Sequence, residues 1–349
     1  MIKVDPMDQQ FLDRLVDTTV GTKNIAGAVL HVSSGDGRLD MVSSAGNLQD
    51  DSRYYTASIN KLFMAALILR LATERRLRLD DRFADFVSDD VIAGLHVLDG
   101  TDYSRQITLT HLLSQTSGLP DYLEDKQHNG HVVLKDLEAG RDPAWPLDRV
   151  LDAVKLMTPH FPPGRPGKAR YGDTGHQLLE LVVSEVTGQS TRQTLQRLFD
   201  ELGMLHTYVA DDANDTGYVP VRYQAGEIGI GRFIASTGND IISTARDQMV
   251  FLKAFFAGHF WPKERLGELE RWNRVFFPFA YGVGIQRFAL PAVLTLFRRV
   301  PPMIGHAGSV GSVAFHVPTE DVYFTGTVNQ QAAPSASFQT MVKVLSRIR

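Results

Sequence analysis

The 349-residue sequence contains no cysteine, which excludes disulfide bonds, thiolate nucleophiles and every cysteine-ligated zinc or iron–sulfur site. Neither sign of charge dominates, because 36 lysine and arginine residues face 40 aspartate and glutamate residues. A balance this close gives no electrostatic reason to expect a nucleic acid or an anionic membrane as partner. The apolar run 62–69 is far shorter than the ~18 residues of a membrane-spanning helix.

The sequence also lacks the short motifs that bind nucleotides and metal ions. It has no Gly-x-x-x-x-Gly-Lys or Gly-x-Gly-x-x-Gly loop and no His-Glu-x-x-His pair. Gly-x-Ser-x-Gly, the nucleophile motif of α/β-hydrolases, is missing too. Residues 1–8 contain no apolar stretch typical of a secretory signal peptide. We therefore predict a soluble, cytoplasmic protein without a metal or nucleotide cofactor.

Strand patterns lie towards both ends of the chain, and helix patterns lie between them and at the termini. β-rich runs are found at 26–32, 39–43, 281–288, 312–317 and 322–328. Helical periodicity is found at 8–20, 61–71, 107–115, 177–186 and 335–349. This order predicts an α+β fold, in which terminal helices cover a mostly antiparallel sheet and a helical region is inserted. The predicted subdomains are 1–76 with 225–349, and 77–224.

One motif with a defined chemistry is present. Ser58 and Lys61 form the single Ser-x-x-Lys of the chain, at the start of the apolar helix pattern. Residues three apart share a helix face, so the amine can reach the hydroxyl. Burial should lower the pKa of the amine and let it accept the serine proton. The N-terminus of the helix adds a backbone N–H where an oxyanion would form.

The same pattern also has a purely structural interpretation. Ser58 would then be a helix N-cap and Lys61 a solvated residue of the first turn. A chain of this length contains about one Ser-x-x-Lys by chance. The motif alone therefore leaves both interpretations open.

Two further segments complete an ordered set of motifs. Tyr171-Gly172-Asp173 follows a Pro/Gly loop, and the Gly-His-Ala-Gly-Ser segment 305–309 precedes a late strand. With Ser58-x-x-Lys61 they resemble the Ser-x-x-Lys, Tyr-x-Asn and Lys-Thr-Gly or His-x-Gly motifs of the serine β-lactamase and penicillin-binding protein superfamily. The resemblance is to its class C-like branch of esterases, D-amino-acid peptidases and D-Ala-D-Ala carboxypeptidases. Segments 107–120, 202–204 and 311–329 are similar to that group as well.

The resemblance implies a β-lactamase/transpeptidase-like fold with the active site in a cleft between the two subdomains. It implies that Ser58 is the acylated nucleophile, that Lys61 activates it and that Tyr171 is a second proton carrier. The backbone N–H groups of Ser58 and Ser309 would form the oxyanion hole. The remaining implied substrate-binding residues are Asp173, His306, Ala307 and Gly308.

The sequence departs from the family pattern at two of these positions. Asp173 replaces the usual Asn, and a carboxylate near Lys61 favours the charged ammonium, which shifts the role of base towards Tyr171. His306 replaces the usual Lys and removes a fixed positive charge, although a histidine with an ordinary pKa near 6.5 would regain it in acid. Both changes favour substrates without a free carboxylate and predict weak or no β-lactamase activity.

Several other residues are interpreted as structural. His111 is assigned to the fold, His160 and His176 to loops or the rim of the cleft, and Trp145 and Tyr122 to aromatic packing.

The predicted function is a serine hydrolase that forms an acyl-enzyme and acts as an esterase or peptidase/amidase on small esters or amides. One alternative is an acyltransferase on the same fold, which passes the acyl group to an acceptor other than water. Another is an inactive binding or assembly module. Substrate identity and oligomeric state stay open.

Overall fold

The computed structural model describes residues 7–291 and 300–348. Its main feature is an eight-stranded sheet in which all neighbouring strands are antiparallel. With strands numbered along the chain, the spatial order is β10 (Asn273–Phe276), β11 (Phe279–Tyr281), β12 (Gln286–Phe288), β13 (Met303–Ala307), β14 (Val313–Val317), β15 (Val322–Thr327), β1 (Gly27–Ser34) and β2 (Asp40–Gly46).

The remaining strands are short, and most helices lie between the two groups of sheet strands. A three-stranded sheet has the order β3 (Tyr54–Tyr55), β9 (Ile241–Ser243) and β6 (Tyr208–Val209), and two strand pairs are β4 (Val97–Leu98) with β5 (Thr101–Asp102) and β7 (Arg222–Tyr223) with β8 (Gly226–Glu227). The helices are α1 (Gln9–Asp17), α2 (Asn60–Thr73), α3 (Asp89–Ile92), α4 (Leu109–Leu113), α5 (Val133–Glu138), α6 (Leu147–Lys155), α7 (Thr174–Thr187), α8 (Thr191–Leu202), α9 (Gly231–Thr237), α10 (Ala245–Ala257) and α11 (Ser335–Ile348).

The terminal helices cover the sheet, as predicted. Apolar residues of α1, among them Leu12 and Val16, share one core cluster with Met341 and Val344 of α11 and with apolar strand residues. Helix α10 packs against β1, β14 and β15. The α+β fold class, with a mostly antiparallel sheet, is confirmed.

Helix α2 lies in the larger core cluster of the protein. All residues from 60 to 69 are buried, because a helix that is apolar on every side is stable only when other elements surround it. It packs against α7. Lys61, in the first turn of α2, contacts Asp173, the residue before α7. The two helix starts therefore lie close together, and they carry the first two sequence motifs.

Some predicted elements differ from the observed ones. The predicted strand 281–288 is two strands, β11 and β12, joined by a turn. The predicted helix 107–115 is limited to the five residues of α4. The His306 motif does not merely precede a strand, since it forms the end of β13. The segments 1–76 with 225–349 and 77–224 remain our proposal for the two subdomains.

Candidate active site

Ser58 lies in a single 3-10 turn, Ala57–Ile59, immediately before α2. The preceding residue, Ala57, has φ = +48°, a conformation that costs energy for a residue with a side chain. Neighbouring bonds maintain it, because Thr56 donates through both its N–H and its hydroxyl to the Ile241 carbonyl, at 3.0 and 2.9 Å. Ser312 donates to the Thr56 carbonyl at 2.7 Å. The serine is thus presented by a firmly tethered turn.

Lys61 places its ammonium group against both Ser58 and Asp173. Its Nζ lies 3.0 Å from Ser58 Oγ and forms a short ion pair with the Asp173 carboxylate. The lysine side chain is 1% exposed, whereas that of Asp173 is 20% exposed. The first two motifs therefore meet at one point, as the resemblance implied.

The charge state of Lys61 differs from the prediction made from burial alone. Burial lowers the pKa of Lys61, but the charge of Asp173, followed by that of Tyr171 and the hydrogen bond to Asp173, raises it above its ordinary value. The prediction that burial leaves a neutral amine is therefore wrong. Lys61 is an ammonium ion at neutral pH, which agrees with the effect expected of a carboxylate at position 173.

Tyr171 completes the group of side chains around Ser58. Hydrogen bonds to Ser58 and Lys61 both favour its phenolate, and Lys61 Nζ lies 5.2 Å from the ring centroid. Burial nevertheless raises the pKa of Tyr171 to about 12; the Lys61 charge lowers it and the Asp173 charge raises it. At neutral pH Tyr171 is a phenol beside the Lys61 ammonium ion. The Asp173 carboxylate, which is paired with Lys61, weakens the stabilisation that this ammonium ion gives to a Tyr171 phenolate.

Two residues that sequence reasoning did not single out hold the Tyr171-Gly172-Asp173 segment. Asp121 is buried, and its Oδ1 accepts from the backbone N–H of Asp173 at 2.7 Å and of Thr174 at 3.3 Å. Gln115 donates to the Gly172 carbonyl at 2.9 Å and accepts from the Gly172 N–H at 3.1 Å. Both lie in or beside the 107–120 signature, but their individual roles depend on contacts more than 50 residues away.

A buried polar network holds the start of α2 from the opposite side. Tyr55 donates to Asp240 at 2.9 Å, and Asn60 donates to the same carboxylate at 3.3 Å. Burial raises the pKa of Asp240 to about 6, although hydrogen bonds from Thr237 and Tyr55 favour its ionised form. This network, which the sequence analysis also missed, fixes the residues on either side of Ser58.

His306 is fully buried and does not line the cleft. Its Nδ1 lies 2.8 Å from the Ala307 carbonyl and therefore carries the proton, so Nε2 accepts from the Tyr281 hydroxyl at 3.0 Å. Burial, with a contribution from the Lys61 charge, lowers the pKa of His306 to about 3. The expectations of a substrate-contacting side chain that is recharged in mild acid are therefore wrong. His306 instead orients Tyr281 and the end of β13.

Ala307, Gly308 and Ser309 do line the cleft. The last residue pair between β12 and β13 is Gln286 with Gly305, so Ala307 has no backbone partner on β12. The Ala307 N–H instead donates to the Gln286 side chain at 3.2 Å. A Cβ at position 308 would lie 2.5 Å from the Thr56 carbonyl oxygen. The glycine is thus required by its contact with the turn that carries Ser58.

The cleft is a cavity of about 820 Å³ that contains Ser58, Tyr171 and Ser309 in its lining. Its apolar wall is formed by side chains from β10 to β12 and the residues beside them, together with α11. These side chains are Val275, Phe276, Pro278, Phe279, Phe288, Leu290, Phe338 and Val342. A cavity of this size and character suits a small molecule with a substantial hydrophobic part.

The opposite, charged wall comprises segments 121–125 and 170–173. Glu124 and Arg170 are its charged side chains in the cavity lining. Arg170 forms an ion pair with Asp125, which also accepts from His160 at 2.7 Å. Burial and the Asp173 charge raise the pKa of Glu124 above its ordinary value, against the opposing charges of Lys61 and Arg170.

The residues interpreted as structural lie outside the cavity lining. His111 accepts from the Thr108 N–H at 3.2 Å and caps α4. Tyr122 and Trp145 are buried and pack together with ring centroids 5.5 Å apart. His176 is buried within α7, so its assignment to a loop or the rim is wrong.

Metal-binding clusters and membrane-spanning helices are both absent from the described ranges. Within 7–291 and 300–348, no His, Asp and Glu side chains form a group of three or more that could hold a metal ion. None of the helices in these ranges combines the length and apolar character needed to cross a membrane.

Comparison with known proteins supports the family resemblance. A family model described as Beta-lactamase matches residues 12–345. The chain is 34% identical over 155 residues to Penicillin-binding protein 4 of Amycolatopsis lactamdurans, and this match covers 44% of this chain and 35% of the relative. It is 26% identical over 226 residues to Protein flp of Staphylococcus aureus (strain N315), and this match covers 62% of this chain and 41% of the relative. The matches thus span well under half of either relative's length.

Solved structures with the same fold include several hydrolases. A D-stereospecific amidohydrolase from Streptomyces sp. has a TM-score of 0.75 at 23% identity, with 96% of this chain and 98% of that chain covered. A D-amino acid amidase from Ochrobactrum anthropi SV3 has a TM-score of 0.76 at 20% identity, with 96% and 99% covered. EstCE1, a hydrolase with promiscuous acyltransferase activity, has a TM-score of 0.78 at 14% identity, with 97% of each chain covered.

Proposed function

This chain belongs to the beta-lactamase family, and from the geometry of its cleft we propose that it cleaves small esters or amides through an acyl-enzyme at Ser58. The observation that carries the proposal is the 3.0 Å contact between Lys61 Nζ and Ser58 Oγ, with Tyr171 beside both groups. The family and its hydrolase neighbours agree with the predicted enzyme class, a serine hydrolase.

Tyr171 is the base in this proposal, and Lys61 stays charged. The Ser58 oxygen attacks the substrate carbonyl carbon while its proton passes to the Tyr171 phenolate, which the Lys61 ammonium stabilises. Tyr171 then gives that proton to the leaving oxygen or nitrogen as its bond to the carbonyl carbon breaks. Water repeats the sequence on the acyl-enzyme and releases the acid. Because the phenolate is the minor form at neutral pH, the rate should rise with pH.

The oxyanion hole in this proposal consists of the backbone N–H groups of Ser58 and Ser309. Both residues line the cavity, and the contact of Gly308 with Thr56 brings the end of β13 against the nucleophile turn. Two fixed N–H donors stabilise the negative charge that develops on the carbonyl oxygen in the transition state.

The charges around the cleft favour substrates without a free carboxylate. Lys61 is neutralised by Asp173, Arg170 is paired with Asp125, and His306 is neutral and buried. Every cation in the described part of the cavity lining is thus paired with a carboxylate of the protein. None is free to hold a substrate carboxylate. Weak or no β-lactamase activity follows, since β-lactam antibiotics carry such a group.

The test is the hydrolysis of p-nitrophenyl butyrate by the wild type and by Ser58→Ala. We expect the substitution to abolish turnover, at least about a thousandfold, because it removes the nucleophile, while circular dichroism and thermal unfolding stay as in the wild type. Undiminished hydrolysis by a folded variant would overturn the proposal. Product analysis with added alcohols or amines separates hydrolysis from acyl transfer, and a wild type without any turnover would favour the inactive-module alternative.

A further inference from the structure

One buried amide interrupts the apolar wall of the cleft. Among the described residues of β10, β11 and β12 that line the cavity, Gln286 alone has a polar side chain. The others are Val275, Phe276, Phe279 and Phe288. Gln286 is only 2% exposed, so its amide is largely removed from bulk water. An amide in such a place costs free energy unless its hydrogen-bonding groups find partners.

The orientation of the Gln286 amide is fixed by β13. Gln286 lies opposite Gly305 in the strand register, and its side chain extends along β13 to Ala307. The Ala307 N–H donates to Gln286 Oε1 at 3.2 Å. Because a backbone N–H can only donate, the oxygen of the amide must face Ala307. Nε2, on the other side of the amide, is left for a different partner.

Gln286 Nε2 carries two N–H donors, and no hydrogen-bond partner for them is found among residues 7–291 and 300–348. Some unpartnered polar atoms in these ranges are fully enclosed, as Trp145 Nε1 is, but Gln286 Nε2 is not one of them. It is therefore open to the space beside it, and the cavity that Gln286 lines is the cleft. An acceptor atom of a molecule bound in the cleft can take up these donors.

The acyl part of a substrate is the part that reaches Gln286. In the proposed mechanism Tyr171 gives its proton to the leaving group, so the leaving group faces the charged wall and the acyl part faces the apolar wall. Ala307 is two residues before Ser309, whose N–H belongs to the proposed oxyanion hole, and two residues span at most about 7 Å. An acceptor bound to the Gln286 amide is therefore only a few bonds from the scissile carbonyl.

We propose that Gln286 is a specificity-determining residue, which donates a hydrogen bond from Nε2 to a carbonyl oxygen within the acyl part of the substrate. The preferred acyl groups are then mainly hydrophobic and carry one oxo group a few carbons from the scissile carbonyl, as 4-oxo and 5-oxo acyl esters do. This inference rests on the proposed function and names the substrate class of the same site.

The experiment uses two matched pairs of esters, ethyl 4-oxopentanoate with ethyl pentanoate and ethyl 5-oxohexanoate with ethyl hexanoate. Selectivity is the ratio of kcat/KM for the oxo ester over its parent, which is formed within each enzyme and so cancels general effects on the rate. The variants are Gln286→Met, which removes the donor, and Gln286→Glu, which keeps an oxygen for the Ala307 N–H and is assayed at pH 9. Gln339→Met and Gln339→Glu make the same changes at an exposed glutamine of α11 that lines the same cavity.

We expect the wild type to prefer the oxo ester in at least one pair. Gln286→Met and Gln286→Glu should lower that ratio about fivefold, as the loss of one neutral hydrogen bond requires. The Gln339 variants should keep the wild-type ratio. Ratios that the Gln286 variants leave unchanged in both pairs, or an equal fall in the Gln339 variants, would overturn the inference.

Calorimetric titration of the same esters into Ser58→Ala separates this inference from the proposed function, because binding is then measured without turnover. The oxo ester should bind about fivefold more tightly than its parent, and adding Gln286→Met should remove that difference. If the wild type hydrolyses none of the esters while this binding preference is present, the proposed function fails and the role of Gln286 as a donor is supported. If hydrolysis depends on Ser58 but neither ratio depends on Gln286, the inference alone fails.

Discussion

The two walls of the cleft are built by different physical means. The apolar wall consists of side chains from neighbouring strands and α11, whose contacts are hydrophobic and aromatic, such as the stacked Phe288 and Phe338 rings with centroids 4.6 Å apart. The charged wall consists of loop segments whose conformation is fixed by directed hydrogen bonds to Asp121 and Gln115. Hydrophobic contacts tolerate some variation in shape, whereas the hydrogen bonds and charges depend on particular atoms.

This difference predicts how each wall responds to substitution. Changes on the charged wall should alter the proton transfer steps and therefore kcat and its pH dependence. Changes on the apolar wall should alter which substrates are bound, with smaller effects on the chemistry.

The largest effect is expected from Tyr171→Phe, which removes the hydroxyl of the proposed proton carrier but keeps the ring. Its kcat/KM for p-nitrophenyl butyrate should fall about a thousandfold, within the range that general acid–base catalysis contributes. Tyr103→Phe makes the same change at a ring that packs against His96, outside the cleft, and should leave the rate unchanged. A loss of less than about tenfold in Tyr171→Phe would assign the role of base to another group.

A smaller effect is expected from Phe276→Ala on the apolar wall. Phe276 is 47% exposed and lines the cavity, whereas the adjacent Phe277 is 64% exposed and does not. Loss of the ring should lower kcat/KM for p-nitrophenyl octanoate about fivefold relative to the acetate, because a partly exposed phenylalanine buries limited apolar area.

The matched control is Phe277→Ala, measured with the same pair of esters. It should keep the wild-type preference between octanoate and acetate. If both variants change the preference equally, the effect comes from the stability of this strand region, and the apolar wall does not bind the acyl chain.

The parts of the site that follow from local spacing could be predicted from the sequence. Ser58 and Lys61 are three residues apart, a spacing that lets them meet on one helical turn, as they do. The family resemblance added Tyr171 and Asp173, and the nearness of Asp173 to Lys61 predicted the charged lysine that the structure has.

The supporting contacts could not be predicted, because they join segments that are distant in the chain. Asp121 and Gln115 contact residues 171–174 only after α4 and α7 have packed, and the burial of His306 depends on the neighbouring Tyr281 of β11. Likewise, the sequence does not indicate that Glu124 faces the cavity, since its neighbours in the chain are a mixture of charged and apolar residues.

In the proposed mechanism, Asp173 keeps Lys61 charged and leaves Tyr171 to act as base with a raised pKa. The most direct test is the pH profile of kcat/KM for the wild type and Asp173→Asn. In the wild type the rate should rise about tenfold per pH unit between pH 7 and 9, because the phenolate is scarce below its pKa of about 12.

Replacing Asp173 with Asn removes a negative charge that raises the pKa values of both Lys61 and Tyr171. Both values should therefore fall, and the rising limb of the variant's profile should move to lower pH by about one unit. A wild-type profile that is already flat between pH 7 and 9, or a rising limb that Asp173→Asn leaves in place, would overturn this mechanism.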